Sequence, residues 1–210
     1  MTEEETLGLR ERKRQRTREA IIDAALRLFD ERGFEHTTIA DIAAEADIAP
    51  RTFFGYFPSK EDVVFHDFDD FSAGLRKRLL EREEGETSID ALRAWIAQIL
   101  EAHRFEDDRA RCRRRVIEST PGLKAHDRAV IGRFEELLGE AVASDLGEPP
   151  GSLRPRMVAA AAMAALTMLD SDGGEDLKSH ADPMALVDEA LAFVRAGVVE
   201  LRARPNPRQS

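Results

Sequence analysis

TTIADIAAEADIAPRTFFGYFPSKE, from Thr37 to Glu61, decides the fold. Ile39, Ile42, Ala43 and Ala46 fall at i, i+3, i+4 and i+7, the spacing of one buried helical stripe. Thr38 suits the N-cap of that helix, and Asp41, three residues on, sits where the positive end of the helix dipole favours an acid. Asp47 can adopt the positive φ that a sharp turn needs, and Pro50 suits the first turn of a second helix, where no amide donor is missed. Phe53 and Phe57 recur at i, i+4 and can anchor that helix, which leaves Arg51, Thr52, Phe54, Gly55 and Tyr56 to face elsewhere. Ser59, with Asp62 three residues later, caps a third helix. Two short helices, a tight turn and a basic, thin outer face suit a DNA major groove.

Outward from this stretch the charge is uneven. The chain has 210 residues and a net charge of -10, of which -8 falls beyond residue 60. Arg10, Arg12, Lys13, Arg14, Arg16 and Arg18 crowd the start, a pattern that fits an arm running along phosphates or into the minor groove; the alternative is a solubilising tail. The expected organisation is a basic flexible arm over 1–15, a helix-turn-helix domain over 16–61, a second helical domain over 62–204 and a disordered tail over 205–210. With 42% hydrophobic residues the chain can bury one or two cores. No stretch approaches the ~20 apolar residues of a membrane span, so a cytoplasmic protein is expected. Cys112 is the sole cysteine, which excludes an intramolecular disulfide and a multi-cysteine zinc site.

Beyond Glu61 the pattern stays helical. Val64, Phe68, Phe71, Leu75 and Leu79 predict one long helix from Asp62 to Leu80. A break over Glu81–Ser88 precedes a helix over Ile89–Phe105, and Pro121–Gly122 opens another that runs to Gly147. Arg154 to Leu169 is rich in small residues, and Pro183 to Arg202 carries Val187, Leu191, Val194 and Val198 at heptad-like spacing. Two such helices per subunit predict a four-helix dimer interface through Met157, Ala161, Ala165, Val187, Leu191, Val194 and Val198; the same pattern also fits a monomeric core.

Residues 16 to 65 resemble the TetR family of bacterial transcriptional repressors. The resemblance rests on Thr37-Thr38, Ile42-Ala43, Thr52-Phe53-Phe54, Tyr56-Phe57 and Lys60-Glu61, with Ala24-Ala25, Leu28-Phe29 and Gly33-Phe34 upstream. It implies an all-α protein in which an N-terminal three-helix helix-turn-helix domain is joined by a long helix to a C-terminal ligand-binding and dimerisation domain. It further implies a homodimer on a palindromic operator in double-stranded DNA, released by a small and largely apolar effector. Thr38, Tyr56 and Lys60 are placed at phosphates by the same analogy, beside Arg14, Arg16, Arg18, Arg51, Thr52, Phe54 and Gly55 as the remaining DNA-contact candidates. The chain departs from the family pattern at Asp47, where a turn glycine is usual, and at Ala49, where a capping serine is usual, a loss of ~1 kcal/mol.

The implied pocket would be lined by Trp95, Ile99, Phe105, Cys112, Val116, Phe134 and Met163, with Met157 and Met168 as further candidates, since methionine and aromatic side chains suit adaptable apolar cavities. Arg111, Arg113, Arg114 and Arg115 read as a solvated face, with an anionic acyl ligand as the alternative. His66 with Asp69 or Asp70 falls short of a metal site, and no nucleophile with an ordered base, phosphate loop or paired carboxylates is present, so neither catalysis nor a cofactor is expected. The rival readings are a ligand-independent DNA-architectural protein, marked by strong binding to random DNA, and a small all-α enzyme, marked by turnover.

Overall fold

The structure, a computed structural model, describes residues 3–102, 108–171 and 182–203. Among the described residues all regular structure is helical, in ten segments: α1 Glu3–Arg32, α2 Ile39–Glu45, α3 Pro50–Phe53, α4 Lys60–Val64, α5 Phe68–Leu80, α6 Ser88–Ala102, α7 Asp108–Ser119, α8 Pro121–Leu146, α9 Leu153–Ser171 and α10 Pro183–Ala203. Phe105 and the expected tail over 205–210 lie outside the described residues. The chain divides into two compact units: Met1–Asp67 with Asp108–Asp127, and Phe68–Asp107 with Arg128–Ser210.

The first unit is larger than the sequence pattern suggested. Its core joins Ile21, Ile22, Leu26, Leu28 and Phe29 of α1 to Ile42, Phe53, Phe57, Val63 and Val64, and also to Val116 of α7 and Leu123 of α8. The segment from Ile21 to Phe29 is buried almost all round, and a helix of that kind needs partners on more than one side. α7 supplies the second side. Ion pairs Arg109–Asp23, Arg113–Asp67 and Arg115–Asp30 flank this packing. Three arginines near and within the run expected to be a solvated face therefore have carboxylate partners, each partly exposed and worth on the order of 0.2–1 kcal/mol.

Two further expectations are corrected here. No break separates an arm at residue 15 from a domain at 16, because α1 is one helix from Glu3 to Arg32. The long helix expected over Asp62–Leu80 is two helices, since α4 ends at Val64 and α5 begins at Phe68. The interruption has tertiary causes. Phe65 stacks on His126 with ring centroids 4.3 Å apart, the His66 carbonyl accepts from Arg18 Nη2 at 2.6 Å, and the Asp67 carboxylate accepts from Arg113 Nη1 at 2.8 Å.

In the second unit Leu75, Leu79, Ile89, Leu92, Leu138, Val142, Val158, Ala159 and Ala162 close around Val187, Leu191, Val194 and Val198. These last four, assigned from their spacing to a dimer seam, are at most 4% exposed within a single chain. The heptad-like stripe is the inner face of α10, packed on α9 and α6. Arg93–Asp188 and Arg195–Asp90 pair α6 with α10, and Arg82–Asp145 ties the segment after α5 to α8. The large apolar side chains that remain outside are others: Leu80 on α5, Leu153, Met157 and Met168 on α9, and Phe193 and Val199 on α10.

Candidate nucleic-acid interface

α2 begins as its sequence dictates. The Thr38 hydroxyl accepts from the Asp41 amide at 3.1 Å while the Thr38 amide donates to the Asp41 carboxylate at 2.9 Å, a reciprocal box that satisfies two end donors. The Thr38 hydroxyl, donating to the same carboxylate, holds Asp41 below the usual carboxylate range. Ile42 and Ala43 are fully buried, with Ile39 and Ala46 packed beside the same core. The chain then turns at Asp47, whose φ is 53°, among the described residues the one positive value outside glycine. Asp tolerates this left-handed conformation better than most side chains. Ala49 caps α3 without a side-chain hydrogen bond, and Pro50 stands in its first turn.

α3 has only four residues, and what it buries fixes what it shows. Phe53 is fully buried and Phe57, just beyond the helix, is 3% exposed, with their rings 5.9 Å apart. Arg51, Thr52, Phe54 and Gly55 are exposed, while Tyr56 is half-buried against the core. A Cβ on Gly55 would lie 3.3 Å from the Thr52 carbonyl oxygen, so a larger residue there would crowd the backbone. Arg14 and Arg16 are exposed on α1.

Three candidate DNA contacts have other work in this structure. Lys60 is half-buried; its Nζ donates to the carbonyls of Phe34 at 2.7 Å and Thr37 at 3.3 Å and lies 4.2 Å from the centre of the Phe34 ring. Thr38 directs both its amide and its hydroxyl hydrogen to Asp41. Arg18 donates to His66 and lies over the Phe57 ring at 5.4 Å. All three hold the reader together, and at Thr38, one of the residues placed at phosphates by resemblance, both donors are taken by Asp41. Thr37, the other member of the threonine pair, is buried and donates to the carbonyls of Leu28 and Gly33.

The sequence reading also missed the clamp on Phe65–Asp67. His66 Nδ1 lies 3.0 Å from the Val63 carbonyl, and burial pushes its imidazole pKa down. Arg113 Nη1 donates to both carboxylate oxygens of Asp67 at 2.8 Å.

The described residues expected to line one pocket divide between the two units. Cys112 and Val116 pack in the core of the first unit, where the Cys112 thiol donates to the Leu26 carbonyl at 3.0 Å. Burial pushes that thiol up to about 11, so almost no reactive thiolate exists at neutral pH. In the second unit Trp95 and Ile99 line an open cleft of about 370 Å³ with Phe71, Gly74, Lys77 and Gln98. Two of its lining rings, Phe71 and Trp95, meet edge-on; Trp95 in turn lies 5.9 Å from Phe134, which meets Phe68 edge-on. Met163 is half-buried on α9 and lines neither this cleft nor the one beside Phe68, while Met157 and Met168 are exposed.

A capped helix, a left-handed turn and a short second helix with a polar outer face on a buried aromatic anchor define a helix-turn-helix DNA-binding protein. Residues 21–66 match the family described as bacterial regulatory proteins, tetR family, and residues 86–199 match the MftR C-terminal domain. The chain is 33% identical over 163 residues to the HTH-type transcriptional regulator TcmR of Streptomyces glaucescens, covering 73% of this chain and 71% of that one. It is 34% identical over 149 residues to the putative mycofactocin biosynthesis transcriptional regulator MftR of Mycobacterium tuberculosis, covering 70% and 75%. In three dimensions it is similar to SmeT of Stenotrophomonas maltophilia in complex with triclosan, with a TM-score of 0.60 and 26% identity over 84% of this chain and 90% of that one. The chain belongs to the TetR family of DNA-binding transcriptional regulators.

Proposed function

We propose that the protein is a cytoplasmic repressor that binds a palindromic operator as a homodimer and leaves it when a small, largely apolar ligand enters the second unit. The observation that carries this reading is the reader itself: Arg51 and Thr52 on α3, and Phe54 and Gly55 directly after it, are exposed while Phe53 between them is fully buried. One four-residue helix reads too few base pairs for an operator, whereas a twofold pair reads both halves of a palindrome. The dimer face we assign is the exposed side of α9 and α10, with Met157, Ala160, Ala164 and Met168 on one and Phe193 and Gly197 on the other. Ala161 and Ala165, half-buried beside it, permit close approach of the helix backbones. Large apolar side chains gathered on two neighbouring helices mark an association surface.

The ligand site we assign is the cleft over Phe71, Trp95 and Ile99. A ligand there changes the position of α5, whose first residue follows the clamped turn Phe65–Asp67, and so the separation of the two readers relative to adjacent major grooves ~34 Å apart. SmeT, crystallised with triclosan, supports the choice of an apolar, aromatic ligand class. Coupling must be reciprocal: a ligand that weakens operator binding by roughly 5- to 150-fold is itself bound that much more weakly by the operator complex. Trp95 is the sole tryptophan, so its emission reports this cleft alone. Titration with chlorinated biphenyl ethers and acyl compounds is expected to quench it and to release operator over the same concentrations. Quenching with operator affinity unchanged would reject ligand release while leaving DNA binding intact.

A further inference from the structure

We infer that Phe54 is a specificity-determining residue that reads the C5-methyl group of a thymine in each operator half-site; the inference rests on operator binding by α3. Phe54 is 57% exposed, although Phe53 and Phe57 on either side of the reader are buried in its core. Its ring is not a loose surface group. It meets the fully buried Phe53 edge-on, with centroids 5.7 Å apart and planes at 86°, so the interior fixes the direction in which it projects. Its exposed neighbours are Arg51, Thr52 and Gly55, and Gly55 has no side chain to stand between the ring and an approaching duplex.

Phenylalanine has no donor or acceptor, so the ring cannot satisfy a phosphate oxygen or a polar base edge and would leave either one desolvated. The apolar feature that the major groove presents is the thymine methyl, which distinguishes A·T from T·A as well as from G·C. Arg51 and Thr52 can supply hydrogen bonds on the same face, so polar and apolar readout fall to different side chains.

Replacing single operator thymines by deoxyuridine removes the methyl group and keeps the base pair. With the full-length protein on a selected operator, one thymine per half-site is expected to be sensitive, at about 4-fold in Kd for one methyl-sized contact. Substituting both symmetric positions is expected to cost about 16-fold. Phe54→Ala should bind the thymine operator more weakly and be indifferent to deoxyuridine, whereas Phe54→Leu, which keeps an apolar end, should retain part of the sensitivity. Because residue 54 is exposed, both variants should melt as the parent does. A protein that binds its operator and tolerates deoxyuridine everywhere overturns the assignment, as does a Phe54→Ala variant with undiminished sensitivity, which would give the methyl to another residue. Failure to enrich any duplex overturns operator binding itself, and is distinguished by the absence of a specific complex with the unmodified DNA.

Discussion

Phe193→Asp is expected to convert the proposed dimer to folded monomers and to remove operator affinity. Phe193 is 76% exposed on α10, and Met168 on α9 is 72% exposed. A carboxylate in the middle of this face would be buried without a partner on association, at a cost of several kcal/mol, while in the monomer it points to water and costs little. Each protomer carries one reader, so monomers should bind half-sites only, near the level of non-specific DNA. Leu191→Asp, two residues away, should behave differently. Leu191 is fully buried, so the charge enters the core of the second unit and the protein should fail to fold rather than dissociate. Sedimentation with a far-ultraviolet melt separates the two results, and a Phe193→Asp protein that sediments as an unchanged dimer rejects the face.

Lys60→Ala is expected to unfold the reader more readily rather than to change its counterion release. Its ammonium group serves two carbonyls, Phe34 and Thr37, and the Phe34 ring. Hydrogen bonds to a charged group contribute about 1.5–3 kcal/mol, and alanine leaves two part-buried acceptors without their donor. An unfolding free energy in urea lowered by that amount, with the slope of log K against log salt unchanged, is the expected pair of results. Unchanged stability with a slope reduced by about one unit would return Lys60 to a phosphate.

The reader was legible because its determinants are local. The Thr38–Asp41 box, the left-handed Asp47, the proline that opens α3 and the Phe53–Phe57 anchor each involve residues at most four apart. What was illegible depends on partners distant in sequence. The break between α4 and α5 is made by Arg18 and Arg113, respectively 48 and 46 residues from the groups they hold. The inward turn of Lys60 has its cause in the loop after α1. The stripe through Val187, Leu191, Val194 and Val198 announced burial correctly, but periodicity does not say what covers a stripe. The one available clue lay in α1, where nearly unbroken apolar sequence from Ile21 to Phe29 exceeds what a three-helix reader can cover and so calls for α7.

Selection of duplexes from a random pool by the full-length protein, followed by footprinting at several salt concentrations, tests the central claim most directly. The account predicts enrichment of a palindrome whose half-sites lie one helical turn or a whole number of turns apart, each protected in the major groove, with Arg51→Ala relaxing discrimination within the half-site by about 1–3 kcal/mol. Retention of random and selected duplexes with equal affinity, or enrichment of a single asymmetric site that binds one chain, would contradict it.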